Sequence, residues 1–254
     1  MMKRVEVSEE IIKNVELGLE RRGFSAFFGR VNDLADKLKV LLGMPDHPPI
    51  VELDKTMEKD KLHFSILMRP DDTNNPVPAY MVSKDVGEGR KLEIFVNSSL
   101  SFNKAANLMY GRAVQLKSDT LGYYDPIWLR AEINAQHYGL AQIKQMDAFI
   151  DGGNRQLKEY FKQIPLRKEP SIFQKELWRM ELARGEMVKL DAGEFGKFYV
   201  SAEPEINSLS LWDKDKKLLM RDITNEQERQ RIFNPESLHV ELDQKPKIKK
   251  GNKL

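Results

Sequence analysis

Two stretches of the sequence, Leu108-Met-Tyr-Gly111-Arg-Ala-Val114-Gln-Leu116 and Leu182-Ala-Arg-Gly185-Glu-Met-Val188-Lys-Leu190, follow the same pattern. Leucine, glycine, valine and leucine recur in them at one constant offset of 74 residues. Self-similarity at a fixed spacing is typical of duplicated architecture. In each stretch the glycine stands between a helical pattern and a strand pattern, as a helix C-cap does. We therefore predict that one folding unit, a helix followed by a meander, occurs twice.

The segment ahead of the repeats predicts a helical hairpin and then a meander. Ser8 is a good helix N-cap, and apolar residues recur every three or four positions in residues 9–22 and again from Phe27 to Leu42. Residues 46–60 contain prolines and many charges, which indicates a loop. From Leu62 to Asn97 the apolar period changes to two, and turn-forming residues divide this segment into three antiparallel strands.

Together these patterns predict an α+β fold. An N-terminal helical hairpin is followed by small antiparallel β-meanders, and part of this arrangement is an internal duplication. Each meander is expected to pack against a helix, because a three-stranded sheet cannot bury one face alone. The expected domains are a helical hairpin at 1–45, a β-meander at 46–100, repeat unit 1 at 101–165, repeat unit 2 at 166–221, and a surface helix with a basic disordered tail at 222–254.

The helix of the second repeat unit has the clearest start signal. Ser171-Ile-Phe-Gln174 follows a proline and forms a capping box, in which a hydroxyl and a side-chain amide satisfy backbone groups that lack helical partners. The next turns carry four large apolar residues, which we expect to pack inside this unit. These residues are Leu177, Trp178, Met180 and Leu182.

The composition restricts the class of protein. Of 254 residues, 41% are hydrophobic and 31% are charged, which suits a folded chain with a core rather than a disordered one. No apolar run approaches the ~20 residues needed to cross a bilayer, and the first residues contain no apolar signal region, so we expect no membrane partner. The chain has no cysteine, which excludes disulfides and cysteine nucleophiles and favours a cytoplasmic location.

Positive charge is concentrated at the C-terminus. Residues 245–254 contain five lysines and no acid, and removing these five charges from a formal net charge of +2 leaves −3 for the rest. Such a tail either aids solubility or attracts phosphates in a salt-dependent way. A strand with aromatic and basic residues near position 128 can stack on bases, although large aromatics in strands are more often packing residues. The candidate nucleic-acid or partner-binding residues are Tyr124, Trp128, Arg130, Lys245, Lys247, Lys249 and Lys250.

The sequence contains no recognisable catalytic or cofactor motif. It has no phosphate-binding glycine loop and no nucleophile elbow, and its four histidines lack the spacing of metal ligands. Two carboxylate pairs, Asp71-Asp72 and Asp213-Lys-Asp215, lie among turn-forming residues, which favours turns over acid–base catalysis. We therefore predict no catalytic, cofactor-binding or metal site. The histidines are His47, His63, His137 and His239.

Several of these segments resemble one family. Ala106-Asn-Leu-Met-Tyr-Gly-Arg-Ala-Val-Gln-Leu116 resembles the NLL-x-GRAV signature of uncharacterised bacterial proteins that are often carried with mobile or conjugative elements. Residues 124–129, 182–190 and 200–205 are similar to later motifs of that family, although Glu205 stands where the family tends to have glutamine. The resemblance covers roughly residues 10–220. It implies a domain of unknown function in a mobile-element setting, and it brings no catalytic residues with it.

Three classes of function stay open at this point. The first is a non-enzymatic interaction or accessory protein of a mobile element, whose partner is a protein. This class is favoured because the sequence has duplicated units and no recognisable group of catalytic residues. The second is a nucleic-acid-binding protein, which would bind DNA or RNA through the lysine tail and the strand that contains Trp128 and Arg130. The third is a hydrolase with carboxylate chemistry, which the motifs favour least. The sequence does not predict an oligomeric state.

Overall fold

The computed structural model describes residues 7–29, 34–44, 49–70, 72, 74–97, 100–116, 127–133, 139–146 and 159–234. The helices are α1 Glu9–Arg21, α2 Phe24–Phe28, α3 Leu34–Leu42, α4 Phe102–Leu108, α5 Ile172–Ala183 and α6 Glu226–Phe233, and residues 159–162 are also helical. The strands are β1 Ile50–Met57, β2 Asp60–Leu67, β3 Ala79–Asp85, β4 Lys91–Asn97, β5 Val114–Gln115, β6 Trp128–Ala131, β7 Gly139–Leu140, β8 Ile143–Met146, β9 Val188–Asp191, β10 Lys197–Glu203, β11 Ser208–Trp212 and β12 Leu218–Met220. The predicted α+β class is confirmed. None of the helices described is both long enough and apolar enough to span a membrane.

The chain forms two compact units. Unit 1 comprises Met1–Ala148 together with the short segment Ala183–Glu186, and unit 2 comprises Phe149–Leu182 together with Met187–Leu254. The segment 183–186 therefore belongs by its contacts to unit 1, although the residues on both sides of it belong to unit 2.

Unit 1 contains a five-stranded and a three-stranded sheet. The strand order is β1-β2-β3-β4-β7 in the larger sheet, which is antiparallel except where β7 pairs in parallel with β4, and β5-β6-β8 in the smaller, antiparallel one. One face of the larger sheet shares a continuous core with helices α1 to α4. The cross-strand row of His63 and Asp54 lies on the opposite face, where both side chains are partly exposed. The helices therefore cover only one side of this sheet.

Helix α1 begins where its sequence predicts. The Ser8 hydroxyl accepts a hydrogen bond from the Ile11 amide at 3.3 Å, which caps the helix, and Glu9 and Glu10 occupy the first turn. Carboxylates there interact favourably with the positive end of the helix dipole. The buried residues Val15 and Leu19 lie on the face that the core covers, since they are four residues apart.

Aromatic rings dominate the core of unit 1. The Phe102 ring of α4 lies 6.0 Å from Phe64 and 4.8 Å from Tyr80, centroid to centroid, and all three side chains are fully buried. The Tyr80 hydroxyl donates a hydrogen bond to the Leu100 carbonyl at 3.0 Å, so its one polar atom is satisfied. Packing of this kind contributes more than the buried area alone, because tilted and edge-on rings attract each other.

Tyr80 should make stability depend on alkaline pH. Burial raises the pKa of its hydroxyl above the ordinary value. The protonated form therefore stabilises the fold below about pH 10, and this contribution is lost as pH rises further. We expect Tyr80→Phe to cost about 1 kcal/mol near pH 7 through the lost hydrogen bond, and to weaken the alkaline loss of stability. Urea denaturation of the two proteins at pH 7 and above about pH 10 measures both effects. An equally steep alkaline loss of stability in the variant would contradict the role of Tyr80.

Unit 2 is built on a four-stranded antiparallel meander with the order β12-β11-β10-β9. Helix α5 contributes the Trp178 ring, which lies 4.8 Å from the ring of Phe161. The Phe233 ring of α6 lies 5.6 Å from Phe195 and 5.4 Å from Phe198. The predicted surface helix at 222–232 is therefore present as α6, one side of which rests on aromatic residues of the meander.

Three local expectations were wrong. Residues 50–57 form β1 and not a loop, because they pair with β2 over their full length. The second predicted helix is divided into α2 and α3: Gly29 has φ of +75°, a left-handed conformation that ends α2. The meander of unit 2 has a fourth strand, β12, which pairs with β11 after a turn at residues 213–217.

The internal duplication is not confirmed. Gly111 and Gly185 both have positive φ, of 68° and 80°, and each lies between a helix and a strand. Their surroundings differ, however. Apart from its chain neighbours, no described residue has an atom within 4 Å of the place of a Cβ at Gly111, whereas a Cβ at Gly185 would lie 2.7 Å from Val114 and 2.9 Å from Asn107. Gly185 instead lies against Asn107 and Val114, within unit 1.

Candidate protein-interaction surface

The signature-like stretch centres on Asn107, which is completely buried. Its amide nitrogen donates to the Arg184 carbonyl at 3.0 Å and to the Asn103 side chain at 2.9 Å, and its oxygen accepts a hydrogen bond from Arg112 at 2.9 Å. Asn103 in turn donates to Glu186 at 2.8 Å. This network holds the segment 183–186 against α4, so the role of these residues is architectural.

Tyr110 and Arg112 tie the same region to the β1–β2 turn. The Tyr110 hydroxyl donates to the Met57 carbonyl at 2.7 Å, and Arg112 forms an ion pair with Glu58. The Tyr110 ring lies 4.6 Å from the Lys84 ammonium and 5.1 Å from the Arg112 guanidinium, which are cation–π distances. Burial, aided by the negative charges of Asp60 and Glu58, raises the pKa of Tyr110. A neutral tyrosine fixed in this way serves packing rather than proton transfer.

The residues predicted to bind nucleic acid are only partly described. Trp128 is 6% exposed and its strand neighbour Leu129 is 8% exposed, so both faces of β6 are covered. The indole offers no open face on which a base could stack in this arrangement. Arg130 is half-buried on the same strand. Tyr124 and the lysines Lys245, Lys247, Lys249 and Lys250 lie outside the described residues.

The described polar side chains form turns and pairs rather than a catalytic cluster. The Asp213 carboxylate accepts hydrogen bonds from the amides of Asp215 and Lys217, at 2.9 and 2.8 Å, which confirms its predicted role in a turn. His63 lies between Asp54, at 2.8 Å, and Glu52 on the exposed face of the sheet. No group of three or more histidine or acidic side chains in the described part is arranged to hold a metal ion. Asp71, His47, His137 and His239 lie outside the described residues.

Unit 2 contains a hydrogen-bonded cluster around Ser208, which is itself buried. Its hydroxyl donates to the Asp222 carboxylate at 2.6 Å, and the Thr224 hydroxyl donates to the same oxygen at 2.7 Å. Burial acts to raise the pKa of Asp222, but these hydrogen bonds outweigh it and hold the pKa below its ordinary value. An ionised aspartate that only accepts hydrogen bonds ties β11 to the turn before α6, which again is a structural role.

Helix α5 presents a face that nothing in the described structure covers. Phe173, Leu177 and Met180 follow each other at intervals of four and three residues, which places them on one side of the helix, with Ile172 beside them. Their side chains are 72%, 42% and 44% exposed, and Ile172 is 82% exposed. The other side of the helix carries the buried residues Trp178 and Leu182. We call Ile172, Phe173, Leu177 and Met180 the α5 apolar face.

This face corrects the expectation that all four apolar residues after the capping box pack inside the unit. Trp178 and Leu182 do so, whereas Leu177 and Met180 are exposed. The hydroxyl part of the predicted capping box is confirmed, since the Ser171 hydroxyl accepts a hydrogen bond from the Gln174 amide at 3.2 Å. The sequence signal for an exposed face was present: positions 173, 177 and 180 form a second apolar stripe, distinct from 178 and 182. A helix with apolar residues on two sides needs two partners.

Comparison with known proteins adds no relative. No protein-family model, no curated protein and no solved structure matches this chain.

Proposed function

We propose that this chain is a non-enzymatic interaction protein that binds another protein through the α5 apolar face. The observation that supports this most directly is the exposure of four large apolar side chains on one helix whose other side is already packed. Single exposed apolar residues are ordinary on protein surfaces, but a contiguous group of them marks a contact surface. Aromatic and methionine side chains are also enriched at such contacts.

The borders of the face are charged. Glu176 and Glu181 lie on either side of the stripe formed by 173, 177 and 180, as the helical period requires. Glu176 is paired with Arg179 of the same helix at 2.5 Å, so its charge is balanced within the chain. A polar, charged rim around an apolar centre is typical of a contact surface between proteins.

The proposal also includes an accessory role in a mobile element and a cytoplasmic location. The resemblance of residues 106–116 to proteins of mobile elements supports an accessory role in such an element, and the absence of cysteine supports a cytoplasmic location. Neither point identifies the partner.

Photo-crosslinking in the native host tests the proposal. A benzoylphenylalanine introduced in place of Phe173 should crosslink to one protein species, and adding Met180→Asp should reduce the yield about tenfold, because a charge in the centre of an apolar contact is desolvated without a partner. Met180 is 44% exposed, so the substitution itself should change the free energy of unfolding by less than about 0.5 kcal/mol.

The matched control places the same crosslinker at Lys189, an exposed position on β9 of the same unit, where no product is expected. Crosslinks that persist at full yield in the Met180→Asp background would contradict the assignment of the surface. If Phe173 and Lys189 both fail to yield any product, the proposed function itself is wrong.

A further inference from the structure

Strand β1 forms one edge of the five-stranded sheet, and a groove runs beside it. No strand of the described residues pairs with its outer side. The groove has a volume of about 460 Å³ and lies between β1 and helix α3. It is lined chiefly by apolar side chains, which come from the last turns of α3 and the first residues of β1. These are Val40, Leu41, Met44, Ile50 and Val51, and we call the site the β1-edge groove.

The register of β1 shows which backbone groups point outward. The Met68 amide donates to the Pro49 carbonyl at 2.9 Å, so positions 49 and 68 form a hydrogen-bonded pair of the β1–β2 ladder, in which Pro49 only accepts because it has no amide hydrogen. In an antiparallel ladder such pairs alternate with pairs that direct their backbone groups away from each other. Residues 51, 53, 55 and 57 therefore bond to β2. The amides and carbonyls of residues 50, 52, 54 and 56 face the open edge.

An extended peptide satisfies both features at once. Its backbone can pair with the outward groups of residues 50–56, and every second side chain then lies over the groove beside α3. A helix could fill the groove but would leave the edge groups without partners from the bound molecule. A nucleic acid would place its phosphates over the apolar side chains of the groove, where Asp36 and Glu52 outnumber the one cation of the lining, Lys37.

The chemistry of the groove also limits the side chains of the peptide. Val40 is 48% exposed and Met44 is 37% exposed, so an alternating series of valine, leucine or isoleucine would cover apolar surface that now faces water. The intervening side chains point to the other face of the sheet, next to Glu52 and Asp54. These two carboxylates outnumber Lys61, which pairs with Asp54 at 2.7 Å, so lysine or arginine at the intervening positions has the complementary charge and glutamate does not.

We propose that the β1-edge groove binds an extended segment of another protein, in which branched apolar residues alternate with basic ones, by adding that segment to the sheet as a further strand. This site is in unit 1 and is separate from the α5 apolar face. The test of this site is therefore independent of the test of the proposed function.

The test uses fluorescein-labelled peptides of eight residues, the length of β1, and fluorescence anisotropy with the full chain. Three peptides are compared: valine alternating with lysine, valine alternating with glutamate, and the valine–lysine peptide with N-methyl groups on the amides that face β1. We expect saturable binding of the first peptide. The other two should bind about tenfold more weakly, since N-methylation removes the hydrogen bonds to the edge and glutamate reverses the charge.

Substitutions in the chain separate strand addition from simple charge attraction. Glu52→Pro removes an outward amide together with the carboxylate, a change that an edge strand tolerates, and it should weaken binding about tenfold. Glu52→Ala removes the same charge but keeps the amide, and it should weaken binding less than about threefold. Val40→Asp should weaken binding as strongly as the proline, because it places a charge in the groove.

The affinity of the N-methylated peptide is measured with the unaltered chain, so it tests strand addition even if a variant does not fold. Equal affinity of the methylated and unmethylated peptides would overturn the proposal, as would the absence of saturable binding for all three. Equal loss in Glu52→Ala and Glu52→Pro would show that charge alone attracts the peptide, and it would overturn strand addition as well.

Discussion

Gly185→Ala should destabilise the protein far more than Gly111→Ala, although the two glycines stand at equivalent places in the sequence pattern. Both have positive φ, which costs a residue with a Cβ about 1 kcal/mol. Only at Gly185 does the new methyl group also meet packed atoms, at 2.7 Å from Val114 and 3.0 Å from the Ala113 carbonyl. Overpacking adds a further cost of about 1–3 kcal/mol. The expected losses are therefore about 3 kcal/mol at Gly185 and about 1 kcal/mol at Gly111.

Chemical denaturation of both variants measures this difference. Equal losses of unfolding free energy would show that the two glycines have equivalent surroundings in solution. They would then favour the interpretation of the two stretches as copies of one unit. A larger loss at Gly185 would agree with its close contacts to Val114 and the Ala113 carbonyl.

Asn107→Ala should cost about 3–4 kcal/mol of unfolding free energy, the largest effect we expect from a polar substitution. The change leaves the Arg184 carbonyl without its donor at 3.0 Å and Arg112 without its acceptor at 2.9 Å, in a place where Asn107 itself has no exposed surface. An unsatisfied buried carbonyl costs about 1–3 kcal/mol, and a hydrogen bond to a charged group is worth about 1.5–3 kcal/mol.

Two further substitutions make the Asn107 experiment specific. Gln142→Ala removes an amide of similar chemistry from an exposed position and should change stability by less than about 0.5 kcal/mol. Asn107→Asp keeps the acceptor for Arg112 but turns an oxygen toward the carbonyls of Arg184 and Asn103, so it should not rescue the alanine variant. Full rescue by aspartate would contradict the described network.

The sequence predicts the strands of this fold well where polar turns bound an alternating run. Residues 91–97 and 208–212 form strands, because apolar side chains alternate there and turn-forming residues stand at both ends. The alternation in β1 is interrupted by Lys55, and the prolines before it and its many charges suggest a loop. An edge strand tolerates such charges since only one of its sides is paired.

Tertiary context explains what the sequence could not predict. Periodicity shows that 173, 177 and 180 share one side of a helix and that 178 lies on another, but it does not show which side the rest of the unit covers. The short strands β7 and β8 around residues 139–146 follow no clear period, because β7 is held by a parallel pairing with β4. The same limit applies to the two glycines, whose local pattern is alike and whose neighbours are not.

The placement of residues 183–186 in unit 1 also constrains how the protein matures during synthesis. The acceptor for Asn107 on Arg184 and the acceptor for Asn103 on Glu186 leave the ribosome only after the whole of α5. Until then Asn107 and Asn103 lack these two native acceptors. Native order in the first unit therefore has to wait until residues 183–186 have been synthesised and have left the ribosome.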